Sequence, residues 1–175
     1  ACMIRFPQIA KKVLSAVYFG SKRRIRVRNI HRLFNVELFW NRVGLWVGKR
    51  KGYLPAKTLK FGSENETNKT HIQCVEWIKQ NAWIDSDDGF NYGKEAKNAQ
   101  LPPIYYLAAI KDMYLGHQND VKLFMHESQG VASHFQLLSK KNGNAKDYDH
   151  VDMLTAPEAV RGHFPQVIKW IEKHT

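Results

Sequence analysis

The chain is poor in cysteine, in long apolar runs and in glycine-rich motifs, and each shortage excludes a class of protein. Two cysteines in 175 residues, Cys2 and Cys74, are too few for a disulfide framework, so we expect a reducing, cytoplasmic location. No run of about 18 apolar residues occurs, so the sequence predicts no transmembrane helix. The first residues lack the charged start and apolar stretch of a signal peptide. The chain has no glycine-rich phosphate loop, so no motif indicates a nucleotide cofactor.

Positive charge is abundant and unevenly distributed. The formal net charge is +11, from 27 Lys and Arg against 16 Asp and Glu, and the basic residues crowd into 22–60. Such a segment can meet an anionic partner, either a lipid surface or a nucleic acid. No recognised nucleic-acid-binding motif accompanies the charge, so the sequence does not favour nucleic acid.

Three short apolar runs, each rich in strand-forming residues, predict buried strands at 13–19, 103–110 and 133–139. Between and after them, helical spacing predicts five helices, at 29–49, 63–80, 91–99, 118–128 and 157–174. The helix at 63 begins with a Ser-x-x-Glu capping box. Strands that alternate with helices predict an α/β fold with about three parallel strands.

The long interval between the first two strands predicts a two-part organisation. We expect residues 1–26 and 101–175 to form the sheet core, and 27–100 to form a helical insert. Three strands make a small parallel sheet, and the first would leave an open edge. We therefore expect self-association, for example as a dimer, or pairing with further polypeptide.

Two chemically useful residues follow the second and third predicted strands. Asp112 comes directly after the strand at 103–110, and His150 lies on the loop after the strand at 133–139. Because the carboxyl ends of parallel strands share one edge of a sheet, both side chains are expected there. A carboxylate that orients a histidine is two thirds of a Ser-His-Asp triad. Simpler interpretations are a turn carboxylate and an ordinary loop histidine.

Other residues near this pair are weaker candidates. Asp120 could instead begin the next helix, and Asp149 and Asp152, which flank His150, are expected to face solvent. No G-x-S-x-G nucleophile motif occurs anywhere in the chain. Ser21 and Ser63 each follow a glycine but lack the motif's second glycine, and Cys2 lies in a terminus.

The order of these elements resembles the C-terminal half of an α/β-hydrolase with a helical cap. The segments that carry the resemblance are 17–21, 103–112, 148–154 and 167–171. It implies ester hydrolysis of the esterase, lipase or lysophospholipase kind, with an ester or lipid-like substrate, Asp112 as the acid and His150 as the base.

In that family the nucleophile precedes the strand at 13–19. The resemblance therefore implies a C-terminal fragment, inactive alone, that pairs with a missing N-terminal half. A genuine start at Met3 remains the alternative.

The sequence predicts no metal site and no cofactor. His71 and Cys74 are three residues apart on a predicted helix, but a zinc site needs three or four ligands. The alternative function is a non-enzymatic binding module that holds an anionic partner through the basic helical segment. The helix at 29–49 could lie on a membrane surface, line a pocket as a cap helix, or pack on its own core.

Overall fold

The computed structural model describes residues 1–60, 62, 64–128 and 132–174. The strands are β1 Ala16–Phe19, β2 Tyr53–Leu54, β3 Glu66–Thr67, β4 Ile104–Ala109 and β5 Ser133–Leu138. The α-helices are α1 Cys2–Arg5, α2 Pro7–Ala10, α3 Leu45–Lys51, α4 Asn68–Lys79, α5 Tyr92–Glu95, α6 Gln118–Ser128, α7 Asp152–Thr155, α8 Pro157–Arg161 and α9 Phe164–Lys173. A π-helix spans Arg32–Gly44 and a 3₁₀ turn spans Lys140–Asn142.

The main sheet is parallel, with strand order β1–β4–β5. Its central strand β4 is buried along its whole length, as expected for a parallel strand covered on both faces. A second, antiparallel ribbon joins β2 and β3. The predicted α/β class with three parallel strands is confirmed. The first strand begins at Ala16 rather than 13, because Val13 still donates a hydrogen bond to the turn at Ala10.

The chain divides into two compact units, 1–27 with 91–175, and 28–90. The predicted insert had its boundaries at 27 and 100, so 91–100 lies with the sheet instead. In that segment Tyr92 is buried, and its hydroxyl accepts a hydrogen bond from Arg5 of α1 at 3.4 Å. A cap role for the second unit remains a prediction.

In the second unit, the predicted helix at 29–49 is one continuous helix, π-helical over Arg32–Gly44 and then α-helical to Lys51. Gly44 and Gly48 do not end it. Both are buried, and a β-carbon on either would lie within 3 Å of a side chain of α4. The helix ends at Gly52, whose positive φ of 77° forms a left-handed cap.

The predicted start of the next helix, at residue 63, is wrong. Glu66 and Thr67 pair with β2 as a strand, so helix α4 begins at Asn68. Thr67 is its cap, accepting a hydrogen bond from the Thr70 N–H at 3.2 Å. Ser63 of the predicted capping box lies outside the described residues. The predicted helix at 157–174 is also divided, into α8 and α9, with Gly162 between them.

Among the described residues, no helix combines the length and the apolar character that crossing a membrane requires.

The central strand supplies a stability prediction. Leu107 is fully buried in β4, so Leu107→Ala should lower the free energy of unfolding by about 2–5 kcal/mol. Leu14 is 60% exposed, and Leu14→Ala should change it by less than about 0.5 kcal/mol. Urea unfolding of the two variants beside wild type measures both. Equal effects would contradict the assignment of β4 as the centre of the core.

Candidate active site

The site lies where β1, β4 and β5 end. Asp112 follows β4, and His150 lies on the loop after β5. The two loops are tied together by a hydrogen bond from the Lys111 N–H to the Tyr148 carbonyl at 2.9 Å. At the end of β1, the Gly20 N–H donates to the Leu107 carbonyl at 2.8 Å. Parallel pairing thus brings three strand ends to one edge of the sheet.

Asp112 and His150 are in direct contact. Nδ1 of His150 lies 2.6 Å from Oδ2 of Asp112, a short hydrogen bond typical of a charged acceptor. The Asp112 side chain is 2% exposed, whereas that of His150 is 34% exposed. No other described residue hydrogen-bonds to His150. The imidazole is therefore held at Nδ1, and Nε2 is left for another group.

Asp112 is held in its ionised form despite its burial. Burial acts to raise the pKa of the carboxyl group. Hydrogen bonds from His150, from the Gly116 N–H and from the Tyr114 N–H outweigh that effect and lower the pKa below its ordinary value. An ionised carboxylate can only accept, so the Nδ1 proton belongs to His150, and in the neutral form of the ring the lone pair is on Nε2. This is the tautomer that a general base requires.

Two glycines allow the loops to approach this closely. A β-carbon on Gly116 would lie 2.5 Å from the Gly20 carbonyl oxygen and 2.8 Å from Oδ2 of Asp112. A β-carbon on Gly20 would lie 2.9 Å from Nδ1 of His150, and Gly20 also has a positive φ of 56°. The loops after β1 and β4 therefore touch backbone to backbone, and the imidazole of His150 packs on Gly20.

A second, buried histidine supports the segment that carries His150. His163 is fully buried, and its Nε2 lies 2.7 Å from the Met153 carbonyl oxygen in α7, three residues beyond His150. Burial lowers the pKa of His163, so the ring stays neutral and donates that proton. Tyr148, just before His150, stacks edge-on against the same ring with centroids 5.0 Å apart.

Sequence reasoning did not identify Gly116, His163 or Tyr148 as parts of this site. A run of Tyr-Asp-His and a glycine four residues after Asp112 were the only local signals. The contacts themselves join different loops and helices, so no periodic pattern marks them.

The structure places the neighbouring acids elsewhere. Asp120 is buried and accepts hydrogen bonds from the backbone N–H groups of Arg26, at 2.8 Å, and Val27, at 3.3 Å. Asp149 accepts from the Val151 and Asp152 N–H groups at the start of α7. The carboxylate that hydrogen-bonds to Nδ1 of His150 is that of Asp112, not that of Asp120 or Asp149.

No nucleophile meets His150 within the described part of the chain. Ser21 donates its hydroxyl hydrogen bond to the Phe19 carbonyl, at 3.5 Å, and Cys2 is exposed in α1. Ser63 lies outside the described residues. In the other unit, Nε2 of His71 bonds to the Trp40 carbonyl at 3.0 Å. Across the described ranges, no three His, Cys, Asp or Glu side chains gather in a way that could hold a metal ion.

No family model matches the chain, and neither the curated proteins nor the solved structures that were compared with it give a match. The site must therefore be interpreted from its own geometry.

The lowered pKa of Asp112 predicts how stability depends on pH. Because the folded pKa lies below the unfolded one, ionised Asp112 stabilises the fold above its ordinary pKa of 3.8, and this is lost as pH falls through the folded value. The stability advantage of wild type over Asp112→Asn should therefore be constant above about pH 5 and shrink as pH falls from about 5 to about 2. Urea unfolding across that range measures it. A constant difference would contradict the assigned ionisation.

The backbone contact between the two loops predicts that a single methyl group added at Gly116 strongly destabilises the fold. Gly116→Ala should lower the free energy of unfolding by about 1–3 kcal/mol or more, because the nearest obstacles are backbone atoms that cannot rotate away. Gly62→Ala is the matched control, since a β-carbon there would lie an ordinary 3.6 Å from its nearest neighbours. Thermal unfolding of both variants compares them. Equal small effects would show that the loops can separate.

Proposed function

We propose that this chain supplies the acid and the base of a serine hydrolase of the α/β-hydrolase kind, acting on carboxylic esters. The hydrogen bond between Nδ1 of His150 and Oδ2 of Asp112 carries the proposal. In this mechanism Nε2 of His150 removes the proton from a serine hydroxyl, which attacks the ester carbonyl to form an acyl-enzyme. His150 then returns the proton to the leaving alcohol. Water, deprotonated by His150 in the same way, then attacks the acyl-enzyme and releases the carboxylic acid product.

The division of exposure between the two side chains supports these roles. Asp112 is enclosed, so its charge acts on the imidazole without being screened by water. It orients the ring and stabilises the imidazolium that forms when His150 takes a proton. His150 presents its other nitrogen at a partly exposed surface, where substrate and nucleophile can arrive.

The nucleophile, in this proposal, comes from polypeptide outside the 175 residues. The edge strand β1 supports this arrangement. It lies at one end of the three-stranded sheet, and it ends beside His150, at Gly20. A further parallel strand added to that edge would deliver the residue at its own carboxyl end to the same side of the sheet. The proposed substrate is an ester or lipid-like molecule, and the second unit would serve as a cap.

The test begins with the DNA upstream of the codon for Ala1. An in-frame G-x-S-x-G shortly before that codon is the expected finding, and its absence would contradict the proposal. The complete reading frame is then expressed and assayed with a p-nitrophenyl ester. We expect Asp112→Asn to lower kcat roughly 10⁴-fold and His150→Ala at least as much. The 175-residue chain alone should show no turnover.

His126→Ala is the matched control, because His126 is an exposed histidine of α6 whose ring makes no hydrogen bond to any residue that the structure describes. Its kcat should equal that of wild type. Labelling of the complete protein by a fluorophosphonate identifies the serine independently of turnover. Full activity in His150→Ala, or equal losses in His150→Ala and His126→Ala, would overturn the proposed role of the pair.

A further inference from the structure

The second unit presents an apolar surface on the helix that spans Arg32–Lys51. Six of its large apolar side chains are between 36% and 56% exposed, and we call them the outer face: Leu33, Phe34, Leu38, Phe39, Val43 and Trp46. Single exposed apolar residues are ordinary on protein surfaces, but a contiguous group on one helix marks a binding surface.

The π-helical winding gathers these side chains on one side. Where hydrogen bonds run from residue i to i+5, side chains four and five positions apart share a face. Leu33, Leu38 and Val43 are spaced by five, and Phe34 lies four before Leu38 and five before Phe39. With the tighter α-helical repeat the same residues would be spread around most of the helix. The winding thus gathers these five members of the outer face into one stripe.

The opposite side of the helix is already occupied within the unit. Val36 is buried, Trp40 packs edge-on against His71 of α4 with centroids 4.6 Å apart, and Gly44 lies against the same histidine. One turn further on, Gly48 lies against Asn68 at the start of α4. These positions follow one another every four residues. The helix therefore has one side that packs on its own unit and another that remains exposed.

Positive charge accompanies the outer face. Arg42 lies beside Val43 on the exposed surface, and α3 ends in the exposed run Lys49, Arg50 and Lys51. The Arg50 guanidinium lies 4.3 Å from the centre of the Trp46 ring, so a cation is stacked on an aromatic residue of the outer face. The single acid of the helix, Glu37, is paired with Arg32 at 2.5 Å. Positive charge is therefore in excess on the helix that carries the outer face.

We propose that the outer face binds the surface of an anionic lipid bilayer. An amphipathic helix with Phe, Trp and Leu on one side and Lys and Arg beside them lies in the interface, with its apolar side among the acyl chains. Aliphatic residues such as Leu33, Leu38 and Val43 gain nothing from nucleic-acid phosphates but do gain from leaving water. Charge complementarity and the apolar stripe together therefore favour lipid. This proposal does not depend on the roles proposed for Asp112 and His150.

The test uses the 175-residue chain and vesicles of phosphatidylcholine, with and without about 30% phosphatidylglycerol. We expect co-sedimentation with the anionic vesicles, weak binding to the neutral ones, and a fall in affinity as salt is raised. Leu33→Ser should weaken binding to the anionic vesicles by roughly tenfold, because it removes a side chain that would enter the acyl region. Leu14→Ser should have no effect, since Leu14 is 60% exposed, like Leu33 at 55%, but lies in the other unit.

The charge contribution has its own matched pair of variants. Lys49→Gln with Lys51→Gln should weaken binding roughly 30-fold, at about 1 kcal/mol for each lysine near an anionic surface. Lys140→Gln with Lys141→Gln makes the same charge change at two other exposed lysines and should weaken it far less. Quenching of tryptophan fluorescence by brominated acyl chains should occur in wild type and fall in Trp46→Phe.

Three outcomes would overturn the proposal. The first is no binding to anionic vesicles at low salt. The second is equal weakening by Leu33→Ser and Leu14→Ser, which would make the adsorption purely electrostatic. The third is binding to a single-stranded RNA but not to vesicles, which would assign the charge to nucleic acid. The first outcome, together with a dimer in sedimentation equilibrium that Leu33→Ser dissociates, would assign the outer face to a second copy of the chain.

Discussion

The close approach of the loops after β1 and β4 is the contact on which the candidate site depends. Gly116 lies so near Gly20 that a single added carbon would meet backbone atoms within 2.6 Å. That approach closes the space around Asp112 and leaves it almost without exposure to water. It also provides the surface on which the imidazole of His150 rests. If the two loops moved apart, the carboxylate would be hydrated and the short bond to Nδ1 would lose its enclosure.

Enclosing a carboxylate has a cost, and the site offsets it locally. Removing Asp112 from water disfavours its charged form, yet its pKa is lowered because three hydrogen-bond donors converge on two oxygens. Two of those donors are backbone N–H groups, of Tyr114 and Gly116, which come from the turn itself. Only the third, His150, comes from elsewhere in the chain. The turn therefore stabilises the ionised form of Asp112, and this fixed carboxylate in turn orients His150.

Buried residues before and after His150 in the chain hold the loop that carries it. Met153 is buried, and its carbonyl accepts a hydrogen bond from His163 across ten positions of chain. Tyr148 is fully buried on the other side of His150. The partly exposed imidazole of His150 is thus carried by a short segment that is buried at both ends. A ring anchored in this way loses little conformational freedom when it binds a partner at Nε2.

The sequence supplied the features that depend on local pattern. Apolar runs located the three strands, and the parallel rule placed Asp112 and His150 at one sheet edge, where the structure has them in contact. The catalytic roles remain predictions. The start of α4 was wrong because a Ser-x-x-Glu pattern at 63–66 competes with a Thr capping motif at 67–70, and strand pairing between β2 and β3 decides between them. Gly20, Gly116 and His163 could not be predicted as site residues, since their importance arises only from distances between separate loops.

The helix of the second unit shows that helical winding, which a sequence pattern does not reveal, decides which side chains are exposed. An α-helical repeat is what a sequence pattern assumes, and under it the apolar residues at 33–46 point in nearly every direction, as in a helix buried on all sides. The π-helical winding over Arg32–Gly44 separates them into a packed row at 36, 40 and 44 and an exposed stripe at 33, 34, 38, 39 and 43. π-Helices are rare and mostly a single turn long, so we expect one of 13 residues to need stabilising contacts from its surroundings. Here the stabilising contacts are those of Trp40 and Gly44 with His71. The winding thus places the inner row against α4 and leaves the residues of the outer face exposed.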